Sequence, residues 1–195
     1  MDLAGESWEG VLPGVSLGDE WDRFRKRGCE VMGVMSVDGS IAGSKGDTAV
    51  GGIGVVIAGC GMEPEVMVAF SKRYEGPTRV ECPEQVTNNR MELRALLCGL
   101  SYFMAAYDDT HECGLVVISD SQYVVKGISE YMPRWIRRGW TNNEGRPIKN
   151  QDLWRYLNEL LDDERCPDIV WKHVKGHSGV DLNEMADDLA QSEVR

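Results

Sequence analysis

No apolar run in the sequence approaches the roughly 20 residues needed to cross a bilayer, so no membrane span is expected. The first residues, Met1-Asp2-Leu3-Ala4-Gly5-Glu6, carry neither the basic region nor the apolar core of a secretory signal. Both absences place the expected protein inside a cell, in cytoplasm, nucleus or organelle. Cysteine is sparse and dispersed (Cys29, Cys60, Cys82, Cys98, Cys113, Cys166), with no CxxC spacing. That excludes a short-range disulfide framework and favours reduced core thiols. Internal repeats and low-complexity blocks are also missing. Basic residues number 21 against 32 acids, and the resulting net charge of −11 argues, taken alone, against a phosphate-rich partner.

What is present changes that reading. Residues 1–22 hold six acids and no base, whereas 134–149 hold Arg134, Arg137, Arg138, Arg146 and Lys149 against Glu144 alone. Local positive charge, rather than the sum, decides docking on phosphates. With 42% hydrophobic and 27% charged residues, the 195-residue chain has the composition of a packed globular domain, with length to spare.

Residues 1–28 are Gly- and acid-rich without a sustained period and end in the mixed-charge run Trp21-Asp-Arg-Phe-Arg-Lys-Arg27. They are expected to form a flexible, solvated extension ahead of one domain over 29–195, with a short helix, or a nuclear-targeting or nucleic-acid arm, as the alternatives for the run Trp21–Arg27. Strands are expected over 31–37, 51–58 and 66–74, joined by hairpin-type turns. The glycines of the second strand suggest close backbone approach or a bulge. Thr87, Asn88 and Asn89 can cap a helix whose apolar stripe runs through 93, 96, 97, 100, 103, 104 and 107. A buried strand over 114–119 precedes a helix over 121–132 that Pro133 should break. A helix over 150–163, a strand over 169–174, a Gly-flanked loop and a helix from about 182 complete the order. This predicts an α/β fold with a mixed five-stranded sheet flanked by helices.

Four acids fall at strand ends or in helices beside them: Asp38, Glu92, Asp120 and Asp187. Such ends are where α/β sheets gather functional groups. Acids packed together repel one another, so a cluster of them costs stability unless cations occupy it. A set of hard oxygen donors suits Mg²⁺, with Mn²⁺ as the alternative. Two such ions about 3.5–4 Å apart can activate water and stabilise a leaving oxygen in phosphodiester cleavage. Spacing alone does not single these four out from 32 acids.

Their flanking residues do. Val37-Asp-Gly-Ser40, Thr87-Asn-Asn-Arg-Met-Glu-Leu93, Ser119-Asp-Ser-Gln-Tyr-Val124, Arg138-Gly-Trp140 with Lys149-Asn-Gln-Asp-Leu-Trp154, and Lys175-Gly-His-Ser-Gly179 with Asn183-Glu-Met-Ala-Asp187 occur in this order. Together they resemble the signatures of type 1 ribonuclease H over residues 30–192. The resemblance implies a ribonuclease H-like fold and a monomeric enzyme. It also implies endonucleolytic hydrolysis of the RNA strand of RNA–DNA hybrids, leaving 5′-phosphate and 3′-hydroxyl ends. By the same likeness Asp38, Glu92, Asp120 and Asp187 bind two Mg²⁺ ions, and His177 assists proton transfer or product release near the leaving group.

The resemblance assigns the substrate contacts too. Asn88, Asn89 and Gln122 would hold the RNA strand through amides able to grip 2′-hydroxyls and base edges. Thr87 and Asn150 would bind a DNA phosphate. Arg134, Trp135, Arg138 and Trp140 belong to a stretch resembling the family's basic protrusion, where arginines meet phosphates and an indole face packs on deoxyribose. Trp135 is equally suited to helix packing, while Trp154, Trp171 and His173 read as structural. The loop after Asp38 lacks the family's Asn-Pro-Gly turn, and residues 75–84 match none of its patterns. Two other readings remain open: a hybrid-binding module with a dead site, and another nuclease of the same fold.

Overall fold

The computed structural model describes residues 12, 15, 17–29, 31–42, 47–60, 64–79, 81–106 and 112–195. Position 107 of the helical stripe, and 43–46 of the loop after Asp38, lie outside them. Three strands come first: β1 (Val31–Ile41), β2 (Thr48–Cys60) and β3 (Pro64–Pro77). Helix α2 (Asn88–Ala106) then leads to β4 (Cys113–Ser119), and α1 (Gly18–Lys26) precedes them all. The sheet order is β3-β2-β1-β4-β5, with β5 at Asp168–His173. The first three strands pair antiparallel, while β1, β4 and β5 run parallel. The predicted mixed five-stranded sheet is the observed one.

Alternation along the central strands sends side chains to two cores. Met35, Val37, Val55, Leu115 and Val117 face α2, whose Leu93, Leu96, Leu97, Leu100 and Phe103 form the predicted stripe. Val34, Val56, Val116 and Ile118 face the opposite way. That second face is covered by α6 (Asp181–Ser192) and by α1. The glycines of β2 serve close approach: a Cβ on Gly54 would overlap the backbone carbonyl of Ala186, so α6 rests on bare strand. The bulge on this ribbon lies further along, where Ile57 pairs Val68 and Ala58 pairs Val66.

Two expectations are corrected. The second half of the supposed flexible extension is packed: Trp21 and Phe24 of α1 are fully buried, and so are Leu12 and Leu17. The Phe24 ring lies against Gly114 of β4, where any Cβ would meet it. Arg23 and Arg27 donate to Asp168 at 3.0 and 2.8 Å, and Lys172 pairs with Glu20 at 2.9 Å, fastening α1 along the β5 edge. Nor does Pro133 break its helix. A short α3 (Gln122–Lys126) widens into a π turn over Gly127–Tyr131, and Pro133 sits in the first turn of α4 (Met132–Arg137). There its missing N–H costs nothing, and the amide of Met132 reaches back to Gly127. Helix α5 (Gln151–Leu161) closes the α2 face with Trp154 and Leu157.

Candidate active site

Parallel pairing of β1 and β4 matches Ser36 with Ile118. Two residues further, the same register sets Asp38 beside Asp120, just past the end of β4. Glu92 arrives from the other side on the second turn of α2. Its approach depends on Gly39, because a Cβ there would overlap the Glu92 amide and the Met91 carbonyl carbon. Asp120 is fixed by its neighbours: Ser119 Oγ accepts the Ser121 amide at 3.1 Å, and Ser121 caps α3 by accepting the Val124 amide. The loop after β5 closes over Asp120 at Gly176, where a Cβ would stand 2.5 Å from its Oδ2.

The result is a knot of carboxylates. One oxygen each from Asp38, Glu92 and Asp120 lies within 4.8 Å of the others. Asp38 and Glu92 are 6% and 7% exposed, too little for water to dissipate their charge. Burial, then the Asp120 charge, pushes Asp38 up to about 8, with the Asp187 carboxyl contributing through a hydrogen bond. Burial, then Asp38, pushes Glu92 up to about 9. Glu92 Oε2 is buried with no hydrogen-bond partner. An orphaned buried oxygen inside an all-oxygen donor set fits a hard divalent cation.

Asp187, on α6, stands beside this triad rather than inside it, and contributes to the shifts of both Asp38 and Glu92. His177 has its Nδ1 3.7 Å from Asp187 Oδ2 and is 79% exposed, held in a left-handed backbone (φ 52°). His173, read as structural, faces the Asp120 backbone carbonyl at 3.1 Å through Nε2.

Thr87, Asn88, Asn89 and Asn150 line one open cavity of about 500 Å³, together with Arg79, Gln85 and Lys149. Asn150 is buried and has φ 56°; its amide donates to Tyr123 Oη at 2.9 Å and its carbonyl accepts from Arg90 at 3.4 Å. Arg90 is itself buried against Asp152, at 2.5 and 2.9 Å. Arg79 escaped sequence reasoning because residues 75–84 carry no recognisable pattern, and Gln85 directly follows that segment. Lys149 was visible only as one of a basic group.

The basic stretch is divided. Gln122 is exposed at the start of α3, and Arg134 and Arg138 are exposed on α4 and its following turn. Trp135 packs edge-on against Trp154, with ring centroids 5.3 Å apart, and stays partly exposed. Trp140 corrects the expectation of an exposed indole face: it is 9% exposed, within the α2-side core. Gly139 at φ 65° reverses the chain, so the Trp140 amide donates to the Trp135 carbonyl at 2.7 Å and the ring turns inward. Among the described residues no helix is long and apolar enough to cross a membrane. None of Cys29, Cys82, Cys98, Cys113 and Cys166 forms a disulfide.

Comparison with known proteins places this geometry. The family model for RNase H matches residues 33–195. A ribonuclease H of Pseudomonas putida strain F1 is 39% identical over 156 residues, covering 80% of this chain and 88% of the relative. A ribonuclease H of Hahella chejuensis is 47% identical over 110 residues, covering 56% and 68%. Among solved structures, the PFV RNase H domain superposes with a TM-score of 0.66 at 26% identity, over 84% of this chain and 94% of that one. LC9-RNase H1, described as a type 1 RNase H with the type 2 active-site motif, gives 0.62 at 26% identity, over 83% and 71%.

Proposed function

Since the chain belongs to the RNase H family and is a ribonuclease H hydrolase, we propose that it cuts the RNA strand of RNA–DNA hybrids internally, leaving 5′-phosphate and 3′-hydroxyl ends. The observation that carries this reading is the convergence of Asp38, Glu92 and Asp120 oxygens within 4.8 Å, with one Glu92 oxygen buried and unpartnered. Asp38, Glu92, Asp120 and Asp187 hold two Mg²⁺ ions, with Mn²⁺ the alternative. When bound, the ions supply polarisation of an attacking water and charge at the leaving oxygen.

The chain's own residues do the rest. Burial of Asp38 and Glu92 keeps bulk water from screening the site. His177, exposed at the rim beside Asp187, exchanges a proton at its imidazole near the leaving 3′ oxygen and helps product depart. Asn88, Asn89 and Gln122 read the RNA strand through its 2′-hydroxyls. Thr87 and Asn150 hold a DNA phosphate in the cavity they share with Lys149. Arg134 and Arg138 track the DNA backbone. Trp135 and Trp140 act here through packing, keeping those arginines on a rigid platform.

The working unit is 29–195 with α1 as an integral buttress, acting as a monomer inside the cell. Labelled RNA–DNA, RNA–RNA and DNA–DNA duplexes test the reading, each with Mg²⁺ and with EDTA, alongside Asp120→Asn. Cleavage confined to the hybrid's RNA strand and abolished by EDTA and by the substitution is expected. Hybrid binding without cleavage would instead make the chain a dead-site module, and cleavage of DNA another nuclease of this fold.

A further inference from the structure

Among the described residues, Asp187 alone of the four carboxylates has both oxygens gripped by one donor. Gln191 Nε2 lies 2.8 Å from Oδ1 and 2.9 Å from Oδ2 of Asp187. Gln191 follows one turn later on α6, so the two side chains share a face. Its own Oε1 accepts from Arg195 Nη2 at 3.1 Å, which fixes which end of the amide points at Asp187. The backbone beneath is packed closely, because α6 rests directly on Gly54 and Gly52 of β2. The remaining freedom of Asp187 is rotation of its side chain, and the amide removes it.

The donor's chemistry matters. A carboxylate offers about four lone-pair sites, and one shared N–H₂ group occupies only part of them. Because the amide is neutral, it orients Asp187 without cancelling its charge, as an ammonium or guanidinium at the same place would. His177 approaches the same carboxylate at 3.7 Å. We propose that Gln191 is a positioning residue of the metal centre: it clamps Asp187 toward Asp38 so that a fourth carboxylate meets the divalent cation. The inference rests on the metal-centre reading above.

Isothermal titration of the full chain with Mn²⁺, with no nucleic acid present, tests it. Partners that orient a metal ligand from behind typically contribute 10–100-fold in affinity. Gln191→Ala should weaken Mn²⁺ binding by about that factor. Gln191→Glu, of equal size but able only to accept, should weaken it at least as much, and Arg195→Ala by less. The melting midpoint in EDTA should stay near that of the parent for Gln191→Ala and Arg195→Ala, since Gln191 is only partly buried and fills no core, whereas Gln191→Glu sets an added acid against Asp187 and should lower it. Parent-like Mn²⁺ affinity in Gln191→Ala and Gln191→Glu would overturn the proposal. A lowered EDTA midpoint in Gln191→Ala with unchanged affinity would reduce Gln191 to a helix-stabilising residue and overturn it equally. Should the parent itself bind no Mn²⁺, the metal-centre reading fails first, and that result is distinct from either.

Discussion

Ionisation of the acidic knot should govern folding stability whenever metal is absent. The Glu92 carboxyl ordinarily titrates near 4.5 and is pushed up to about 9 in the fold by burial, then by Asp38. At pH 7 the unfolded chain has released this proton and the folded chain still holds it. The folded state therefore loses stability as pH rises above 4.5, at about 1.36 kcal/mol per pH unit. Over the interval to pH 7 that comes to about 3 kcal/mol from Glu92 alone. The contribution is intact below 4.5 and fully lost only above about 9. Asp38, pushed up to about 8 by burial and by Asp120, acts in the same direction. The two carboxyls share one repulsion, so their effects overlap rather than add. Urea unfolding at pH 5, 6, 7 and 8 in EDTA should show a fall of at least about 1.4 kcal/mol per pH unit, the slope of one proton. Excess Mg²⁺ should flatten it. Glu92→Gln, neutral and of the same shape, should reduce the slope by about one proton and raise EDTA stability at pH 7 by about 3 kcal/mol. A flat profile in EDTA, or a Glu92→Gln protein less stable than its parent at pH 7, would refute the reasoning.

Three further outcomes are expected. Trp21→Ala, emptying a fully buried site beneath α1, should cost about 3–5 kcal/mol in urea unfolding; an unchanged midpoint would mean α1 contributes nothing to the fold. Arg90→Met removes donors to Asp152, Asn150 and the Pro83 carbonyl. Because Asp152 is 43% exposed and can hydrate, the loss should sit near the lower end for a broken buried pair, about 3 kcal/mol by thermal melting. Gly54→Val forces a branched side chain into the Ala186 carbonyl, so hydrogen exchange should show α6 amides losing protection while α2 amides keep theirs.

Much of the sheet was readable from sequence because its central strands are buried on both faces. Gly114–Ser119 is a continuous apolar run, and Met35 and Val37 alternate with Val34 and Ser36. The acids were a harder case. Strand-end position alone left Asp38 and Asp120 among many candidates, and only the flanking residues selected them; the parallel register then explains why both are needed side by side. What stayed hidden was decided by tertiary contacts. Trp21 and Phe24 sit three apart inside a run of charges, and nothing local announces that a sheet face lacks a cover there. Trp140 is turned inward by two successive left-handed residues, Gly139 and Trp140 itself (φ 65° and 66°), a conformation the sequence permits but does not require. The cavity residues Thr78, Arg79, Glu81 and Gln85 are held by loop contacts such as the Gln85 amide on the Thr78 carbonyl at 2.9 Å, which have no periodic signature.

The π turn at Gly127–Tyr131 sets the angular phase of the segment beyond it. It holds one residue more than an α-turn would, and one residue is about 100° of rotation about a helix axis. That offset lets Trp135 face Trp154 while Arg134 and Arg138 face solvent. Deleting any one residue between 127 and 131 would swing the arginines through about 100°, removing the indole from its partner, and would set Pro133 inside a helix rather than at the start of one. The positive charge would then point elsewhere with its composition almost untouched, so, on the proposed function, the length of this segment would set where a nucleic acid strand lies as much as its charge does.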